Sequence, residues 1–402
     1  MAARRICLVT SGYLSANPRL LKEAQALSAR GDQVTVIANG QDPLQAARDE
    51  LLLGGFKLIR AAGPSPIGYR LRRLLQLLAV RFAWLRSDAF DAFGISPITP
   101  ALAKAAKRTP ADLYIGHNLA ALPAVAQAAH KARVPFAFDV EDLHVDELTD
   151  TPANAAERAR RRRIEARYLP RAAYVSAAAP LFVEALKQHY GIQAQVISNA
   201  FPRSMAALEF QSVDDGSLYW VSQQIGPRRG IEEMLEIIAL TRSKPTLRLR
   251  GSRDEAFCAT LTARATELGV QLDYLPTAAP EEMARLACAS ALGLAIEVND
   301  GLNRELCLTN KLYFYLLAGL PILLSNTRAQ AAFAAEIGDA GLLIDLRSAP
   351  ASAAVIDAFL TDSKRVSAAR ECAWRLGQTR FNFEAETPKL YALVDHALRT
   401  GP

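Results

Sequence analysis

The start of the chain alternates short apolar runs with a longer amphipathic segment. Residues 6–10 and 33–38 are apolar runs, and between them residues 19–30 carry apolar side chains at helical spacing. Gly31 stands where a glycine that ends a helix is expected. The pattern predicts strand, helix and strand, which is the βαβ unit of a parallel sheet with a right-handed crossover.

The same alternation continues and then starts a second time. Further strands of the first series are predicted at residues 113–115, 135–139, 173–176 and 195–197. The pattern breaks at Asn, Pro and Arg within residues 199–203, which indicates a linker. A second series of strands is predicted at residues 217–221, 246–250, 271–275, 291–295, 321–325 and 341–344.

These two series predict an α/β protein with two domains. A chain of 402 residues exceeds what one hydrophobic core usually supports. We predict Rossmann-like, doubly wound domains at residues 1–203 and 204–375, followed by a C-terminal helix, residues 376–402, that returns to the first domain. Two such domains joined once would face each other across a cleft at the carboxyl ends of their strands, where ligands bind in these folds.

The composition and charge of the chain indicate where the protein is expected to be located and what it is expected to bind. The five cysteines are scattered without a CxxC pair or a metal-ligand spacing, so we interpret them as reduced thiols and expect no metal or cofactor. The run 6–9 is too short for a signal peptide, and no apolar run is long enough to cross a membrane, so a cytoplasmic protein is expected. The net charge of +6 favours an anionic partner, with nucleic acid the weakest choice because no zinc-ligand set or RNP-like stretch occurs.

Residues 70–86 carry a possible membrane surface. A helical projection places six large apolar residues within about 100°, namely Leu71, Leu74, Leu75, Leu78, Phe82 and Leu85. The other side mixes apolar residues with arginines, namely Leu77, Val80, Trp84, Arg72, Arg73 and Arg81. This mixture suits peripheral binding to an anionic bilayer, and a core helix with solvated arginines explains it equally well.

Two segments of the second half are candidates for binding phosphate. Residues 220–232, WVSQQIGPRRGIE, place Arg228 and Arg229 between a strand and a helix that starts near Ile231. Backbone amides at that helix start and the guanidinium groups would bind a diphosphate, although a turn with a solvated arginine pair fits too. Residues 308–325, LTNKLYFYLLAGLPILLS, begin with polar residues and continue as an apolar helix that ends at glycine and proline, which fits either an anion site or an ordinary buried helix.

Residues 310–321, NKLYFYLLAGLP, resemble the nucleotide-sugar motif of glycosyltransferase family 4 and related GT-B enzymes, NKLFEYxAxGxP. Residues 18–36, 117–147 and 222–232 resemble further family segments in the same order. The resemblance implies a GT-B glycosyltransferase that moves a hexose-like sugar from a nucleotide diphosphate to a lipid-linked or polysaccharide acceptor. Retention of configuration and independence of metal ions are also implied.

The resemblance also implies the donor site. Arg229 and Arg228 would hold the diphosphate, Lys311 and the loop 306–310 would approach the sugar and phosphates, and Leu275 would lie near the base. The full set of expected donor-site residues is Gly12, Gln224, Arg228, Arg229, Leu275, Glu297, Glu305, Leu308, Thr309, Asn310, Lys311 and Phe314.

The chain departs from the family pattern at two positions. Phe314 stands where the family usually has a glutamate that binds the donor ribose, and a phenyl ring cannot accept those hydrogen bonds. Gln224 stands where an arginine is often found. Glu297 and Glu305 have the spacing of the family's paired glutamates, but their offset from Gly319 is wrong, so we treat that match as accidental. Either carboxylate could still accept a hydrogen bond from the donor sugar.

The first half supplies candidates for the acceptor side. His117 follows a predicted strand, with Asn118 as a possible helix cap, and would contact the reacting sugar unless it is a surface or capping residue. Residues 138–148, FDVEDLHVDEL, place five carboxylates beside His144. We name His117, Asp139 and Glu141 as candidate catalytic residues, with Asp142 and His144 as further acceptor-site candidates. An acidic helix start is the alternative for 138–148.

Three functions stay open at this point. The first is the glycosyltransferase, whose retaining chemistry would depend on positioning and on stabilising the leaving diphosphate. The second is a nucleotide-sugar epimerase or hydrolase of the same fold. The third is a non-catalytic, nucleotide-binding descendant, which the identities of Phe314 and Gln224 motivate.

Overall fold

Seven parallel strands form the sheet of the first unit. The computed structural model describes residues 3–63, 65–81, 88–206, 210, 215–298 and 300–401. The strands are β1 (Arg5–Thr10), β2 (Gln33–Ala38), β3 (Lys57–Arg60), β4 (Leu113–His117), β5 (Phe136–Val140), β6 (Tyr174–Ala177) and β7 (Gln195–Val196). Their order, β3-β2-β1-β4-β5-β6-β7, places the first strand of the chain inside the sheet.

Helices connect these strands. They are α1 (Pro18–Ala29), α2 (Pro43–Glu50), α3 (Pro66–Arg81), α4 (Asp88–Ile95), α5 (Thr99–Ala106), α6 (Leu122–Ala132), α7 (Ala155–Tyr168) and α8 (Pro180–Tyr190). The start of α1 shows why the chain turns helical there. Asn17 accepts a hydrogen bond from the Leu20 amide, and Pro18 occupies the first turn, where its missing N–H costs nothing.

Six parallel strands form the sheet of the second unit, in the order β10-β9-β8-β11-β12-β13. They are β8 (Leu218–Ile225), β9 (Leu247–Arg253), β10 (Leu272–Leu275), β11 (Leu292–Ala295), β12 (Ile322–Ser325) and β13 (Gly341–Ile344). The helices are α9 (Ile231–Leu240), α10 (Glu255–Leu268), α11 (Met283–Ala287), α12 (Leu302–Leu306), α13 (Asn310–Leu317), α14 (Arg328–Ile337), α15 (Ala349–Leu360), α16 (Ser363–Thr379) and α17 (Phe383–Thr400).

The chain divides into unit 1, Met1–Ile197 with Thr387–Pro402, and unit 2, Ser198–Glu386. The sequence suggested divisions after residues 203 and 375. Helix α17 therefore begins in unit 2, and its later turns belong to unit 1. In unit 1 the Tyr391 hydroxyl donates to the Ala26 carbonyl oxygen over 2.8 Å, and Asp395 accepts from Arg30 over 3.0 Å.

The α/β class and the two doubly wound units are confirmed. Every predicted strand is present, and most of the bounds differ by a residue or two. Strand β3 was missed because its residues are only partly buried and include two basic side chains, so the apolar run is too short to recognise. The short helix α12 lies just before the expected donor loop 306–310 and overlaps its first residue. Within the described ranges no helix has both the length and the hydrophobicity needed to cross a bilayer.

Candidate functional site

The register of unit 1 brings polar residues together at the carboxyl ends of its central strands. Thr10 of β1 pairs with His117 of β4, and His117 pairs with Asp139 of β5. Asn118, expected as a helix cap, makes no capping hydrogen bond with its side chain. Its Oδ1 instead accepts from the Thr10 hydroxyl over 2.6 Å, and its φ of 65° turns the chain out of the strand. The cap prediction was therefore wrong.

His117 is fully buried and both of its ring nitrogens face carboxylates. Nε2 lies 2.8 Å from Glu23 Oε2, and Nδ1 lies 3.2 Å from Glu141 Oε1 and 3.5 Å from Asp139 Oδ2. Burial lowers the pKa of His117, but these three carboxylates outweigh it and raise the pKa to about 10. At neutral pH His117 is an imidazolium that donates from both nitrogens.

Asp139 forms a buried, two-pronged ion pair. Arg19 donates from Nε to Oδ2 over 2.5 Å and from Nη2 to Oδ1 over 2.7 Å, and the Ser176 hydroxyl donates to Oδ1 over 2.5 Å. Burial favours the neutral acid, but Arg19, His117 and Ser176 hold the pKa of Asp139 below its usual range. Two parallel bonds from a guanidinium fix the carboxylate firmly.

Sequence reasoning missed the charged side of α1. We assigned its buried face to apolar residues, yet Arg19, Lys22 and Glu23 are buried as well. Burial and Arg19 lower the pKa of Lys22 to about 7, against the pull of Glu141. The available signal was three charged residues in the first two turns of the helix that comes next after β1. Only the partners across the sheet explain why they are buried.

His117, Asp139 and Glu141 each offer a ligand atom, and these atoms lie within 4.8 Å of one another. Each residue already has protein partners, since Arg19 binds Asp139 and the Asn17 amide donates to Glu141 over 2.7 Å. A cation would have to displace a guanidinium and an imidazolium. The arrangement is a buried ion network and does not fit a metal site.

A polar cavity of about 380 Å³ opens beside this network. Its lining residues are Ser11, Gly12, Tyr13, Ala16, Asn17, Asn118, Glu141, Asp142, His144 and Glu147. Glu141 therefore links the cavity to the ion network, whereas His117 and Asp139 do not line the cavity. The structure brings the three candidate catalytic residues together, and their direct contact with substrate stays a prediction. Gly12, assigned to the donor site, lies in this unit 1 cavity.

In unit 2 a set of cationic side chains surrounds Glu297, which follows β11. Lys311, at the start of α13, has its Nζ 3.8 Å from Glu297 Oε1 and 4.9 Å from the centre of the Trp220 ring. Arg304 donates from Nη1 to Glu297 Oε2 over 2.8 Å. Burial, Arg229 and Arg304 lower the pKa of Lys311, while Glu297 raises it. Arg229 and Lys311 are thus close enough to repel each other.

The loop before α9 presents its two arginines differently. Arg228 is 71% exposed, adopts a left-handed φ of 62° and pairs with Asp300. Arg229 is half-buried, and Gly230 precedes α9 with a φ of 79° that suits glycine. The Glu232 carboxylate accepts backbone hydrogen bonds from Arg228 and from its own amide, so part of the predicted anion site already holds a carboxylate.

The remaining donor-site candidates differ in their burial and in their hydrogen-bond partners. Leu308 is buried, Asn310 is exposed, and the Thr309 hydroxyl is buried with no partner among the described residues. Glu305 accepts from the Arg328 amide over 3.0 Å with one oxygen, and its other oxygen is buried without a described partner. Both orphaned oxygens precede α13 in sequence by at most five residues, and a ligand at the start of this helix could satisfy them.

Phe314, Leu275 and Gln224 complete the predicted set. Phe314 is buried in α13 and packs edge-to-face on Phe201, with ring centres 6.3 Å apart. Its role is therefore aromatic packing within unit 2. Leu275 ends β10 and is half-buried, and Gln224 is exposed at an irregularity of the β8–β9 pairing.

Helix α3 buries a polar side chain and exposes its large apolar ones. Gln76 is buried and donates to the Gly94 carbonyl oxygen over 3.1 Å, whereas the large apolar residues face outward. The exposed residues of the predicted stripe are Leu71, Leu74, Leu75 and Leu78, which we call the α3 apolar face. Leu77 and Val80, on the other side of the helix, are exposed as well. The rest of the predicted 70–86 surface, with Phe82, Trp84 and Leu85, lies outside the described residues.

Comparisons with known proteins agree with this architecture. Residues 16–200 match the family model of the Glycosyl transferase 4-like domain. The structure of HepE from Anabaena in complex with UDP-glucose matches with a TM-score of 0.71 at 15% identity, covering 98% of this chain and 99% of that one. Sucrose-phosphate synthase from Thermosynechococcus elongatus matches with a TM-score of 0.70 at 16% identity, covering 99% and 100%.

A third similar structure is WaaG, a glycosyltransferase involved in lipopolysaccharide biosynthesis. Its TM-score is 0.61 at 16% identity, and the match covers 97% of this chain and 99% of that one. No curated protein sequence matches the chain. The structural matches confirm the GT-B fold, and the domain match confirms the predicted resemblance over the first half of the chain.

Proposed function

We propose that this chain, which has the GT-B fold and matches the Glycosyl transferase 4-like domain over residues 16–200, is a glycosyltransferase. Unit 2 would bind a nucleotide diphosphate sugar, and unit 1 would bind the acceptor, a lipid-linked or polysaccharide glycan. The sugar would be transferred with retention in the synthesis of a surface glycan, on the cytoplasmic side of the membrane.

One observation carries the donor side of this proposal. Arg304 and Lys311 both pair with the buried Glu297 carboxylate, and Arg229 lies close enough to Lys311 to lower its pKa. A diphosphate would add negative charge beside these three cationic side chains. The orphaned Thr309 hydroxyl at the start of α13 is a further donor for a phosphate oxygen. HepE, which has the same fold, is known in complex with UDP-glucose.

The acceptor side rests on the unit 1 cavity. Its carboxylates and amides can bind hydroxyl groups, as a sugar acceptor requires. Because Glu141 is held by Asn17 and His117, its position in the wall is fixed. We place Glu141 in contact with the acceptor and give His117 and Asp139 the task of holding it.

We further propose that no metal ion takes part in transfer, because the cationic side chains of unit 2 can stabilise the leaving diphosphate. Transfer that persists after dialysis against EDTA would support this, and transfer restored only by an added divalent cation would refute it.

The donor site is tested by nucleotide binding. A panel of UDP, GDP, ADP and CMP identifies the base by thermal stabilisation, since a ligand of the native state raises its stability. Arg229→Ala should weaken binding of the best nucleotide about 10- to 100-fold by calorimetry, as expected for a lost charge-assisted bond. Arg264→Ala is the matched control, because Arg264 is an exposed arginine of α10 that pairs with Glu236 and Glu267. Equal affinities for the two variants would remove Arg229 from the site.

We also propose that the α3 apolar face docks unit 1 on an anionic bilayer. Six exposed apolar residues on one short helix are an unusual exposed patch for a soluble surface. Residues 66–81 contain four arginines and no acidic residue. This excess of positive charge along the helix favours anionic lipid over a second copy of the same basic helix.

Vesicle sedimentation tests the α3 apolar face. The wild-type protein should bind phosphatidylglycerol vesicles and bind phosphatidylcholine vesicles much less. Leu74→Glu with Leu78→Glu should remove most of the binding, because each change puts a carboxylate into the apolar face. Leu44→Glu is the control, since Leu44 is an exposed leucine of α2 outside that face. Equal binding of both variants, or no binding of the wild type, would refute the proposal.

One observation favours a second candidate function. Phe314 packs on Phe201 where the family pattern has a carboxylate, so α13 offers no acid at that position. A non-catalytic descendant that only binds nucleotide would follow from this loss. Turnover of a nucleotide sugar distinguishes the candidates: glycoside product supports the transferase, free sugar supports a hydrolase, and binding without turnover supports the descendant.

A further inference from the structure

Two histidines lie near the carboxyl ends of the unit 1 strands, and they differ in access. His117 has both nitrogens within 3.5 Å of carboxylates and does not line the unit 1 cavity. His144 does line that cavity, with 9% of its side chain exposed. Only His144 can meet a ligand there without breaking the buried ion network.

The ring of His144 is held in a fixed orientation. Its Nδ1 lies 3.2 Å from Glu165 Oε1 of α7, and the Tyr190 hydroxyl of α8 donates to the other Glu165 oxygen over 2.5 Å. The ring also packs against Phe138, with centres 6.0 Å apart. Among the described residues no side chain pairs with Nε2. That nitrogen is therefore the one left for a ligand in the cavity.

The charges around His144 decide which role Nε2 plays. Glu165 of α7 lies against Nδ1, and Arg161 of α7 donates to the His144 backbone carbonyl oxygen. The Tyr190 hydroxyl of α8 donates to Glu165, and Glu141, Asp142 and Glu147 line the same cavity as His144. Burial lowers the pKa of His144, but Glu165, Glu147 and Asp142 outweigh it and raise the pKa above its ordinary value of 6.5. The Glu165 carboxylate holds a proton on Nδ1, and the surrounding acids favour the doubly protonated ring, in which Nε2 is also a donor.

We propose that His144 is an acceptor-binding residue whose Nε2 donates a hydrogen bond to a sugar hydroxyl in the unit 1 cavity, while Glu165 and Tyr190 position it. The inference rests on the proposed function and deepens it. Because Glu141, Asp142 and Glu147 also line the cavity, they favour an uncharged, hydroxyl-rich sugar over a phosphorylated or carboxylated one.

The first test distinguishes the loss of an acceptor contact from a loss of folding. His144→Ala should raise the acceptor KM roughly 10- to 100-fold, as expected for the loss of a hydrogen bond from a charged donor, with a smaller change in kcat. His144→Gln keeps an amide donor and should recover part of the loss. UDP affinity and the melting temperature should stay close to wild type in both variants. An acceptor KM within twofold of wild type in His144→Ala would overturn the inference.

The second test addresses positioning. The acceptor KM of the wild type should rise as the pH passes upward through the pKa of His144, because Nε2 then loses its proton. Glu165→Gln removes the main partner charge and should move this rise to lower pH, and Tyr190→Phe should move it less. A merely structural role for Glu165 would change the KM without moving its pH dependence, and that result would overturn the assigned role.

The third test does not need turnover. The five histidines permit assignment of each imidazole NMR signal by substitution. Titrating the protein with glucose should shift the His144 signals and leave those of His117 unmoved, and glucose 6-phosphate should shift them less. If no transfer is found but glucose shifts His144, the proposed function fails and the cavity site stands. If transfer occurs, but the His144 variants keep the wild-type acceptor KM and glucose does not shift the His144 signals, the inference fails and the function stands.

Discussion

At the scale of single residues, unit 1 is unusual for the charges that it buries. Arg19, Glu23, His117 and Asp139 form one connected set between α1 and the strand ends. Burying a charge is costly unless an opposite charge and hydrogen bonds accompany it, and here each charge has both. Removing one partner would leave the others unpaired, so this set fixes how α1 lies on the sheet.

Two members of this region have opposite effects on the pH dependence of stability. The pKa of His117 is about 10 in the folded protein against 6.5 ordinarily, so its stabilisation is complete below pH 6.5 and is lost as the pH rises towards 10. The pKa of Lys22 is about 7 against 10.5 ordinarily, so the unfolded chain binds more protons between these values and stability rises there. The two contributions nearly cancel in the wild type.

The substitution Lys22→Met removes the pH-dependent contribution of Lys22 to stability and leaves that of His117. Relative to the wild type, the variant should be most stable below pH 7, and its free energy of unfolding should fall by about 1.4 kcal/mol per pH unit from pH 7 to 9. Urea unfolding of both proteins at several pH values measures this difference. Lys57→Met is the control, since Lys57 is an exposed lysine of unit 1. A difference that does not vary with pH would show that Lys22 keeps its ordinary pKa.

At the scale of secondary structure, hydrophobic periodicity predicted helices well and their environments poorly. Helix α13 is apolar, and the residues that follow its first turn are buried. Helix α3 also has an apolar stripe, yet the structure turns that stripe outward and buries Gln76. The sequence left core and surface readings of α3 equally open, because the period of a helix does not reveal which of its faces has a neighbour.

The contact between α13 and α16 provides a test at this scale. A Cβ added to Gly377 would lie 2.5 Å from the Leu316 carbonyl oxygen, so the two backbones meet at this glycine. Gly377→Ala should destabilise the protein by about 1–3 kcal/mol, even though alanine favours a helix by about 1 kcal/mol. Because α13 carries Lys311, UDP affinity should fall too.

Gly63→Ala is the matched control for this substitution, since a Cβ there would meet no atom within 4 Å and its φ is not left-handed. Chemical denaturation and calorimetry of both variants give the comparison. A Gly377→Ala protein as stable as the wild type would mean that the helices can move apart without cost.

At the scale of the whole molecule, the chain crosses between its units twice, and residues 387–402 complete unit 1. Leu390, Val394 and Ala397 of α17 are buried, and Asp395 pairs with Arg4 and Arg30. The last residues of the chain therefore stabilise its first strand and helix, which are nearly 400 positions away in sequence.

Leu390→Ala tests this assignment. The substitution should lower stability by about 2–5 kcal/mol, as for other buried leucines. Amide hydrogen exchange should quicken in β1 and α1 of unit 1, while strands β8 to β13 of unit 2 keep their protection when UDP is present. Leu240→Ala, at an exposed leucine of α9, serves as the control. Faster exchange confined to unit 2 would contradict the assignment of α17.

The sequence by itself determined the strands, the doubly wound α/β class and the resemblance carried by residues 310–321. These features are local: an apolar run, a capping residue or a motif depends on neighbours along the chain. The sequence also identified Arg229, Lys311, His117 and Glu141 as candidate site residues. Only the tertiary structure decided how such residues meet, since the contact of Arg19 with Asp139 joins positions 120 residues apart. The register of strands and the packing of α1 set that contact, and no local pattern encodes either one.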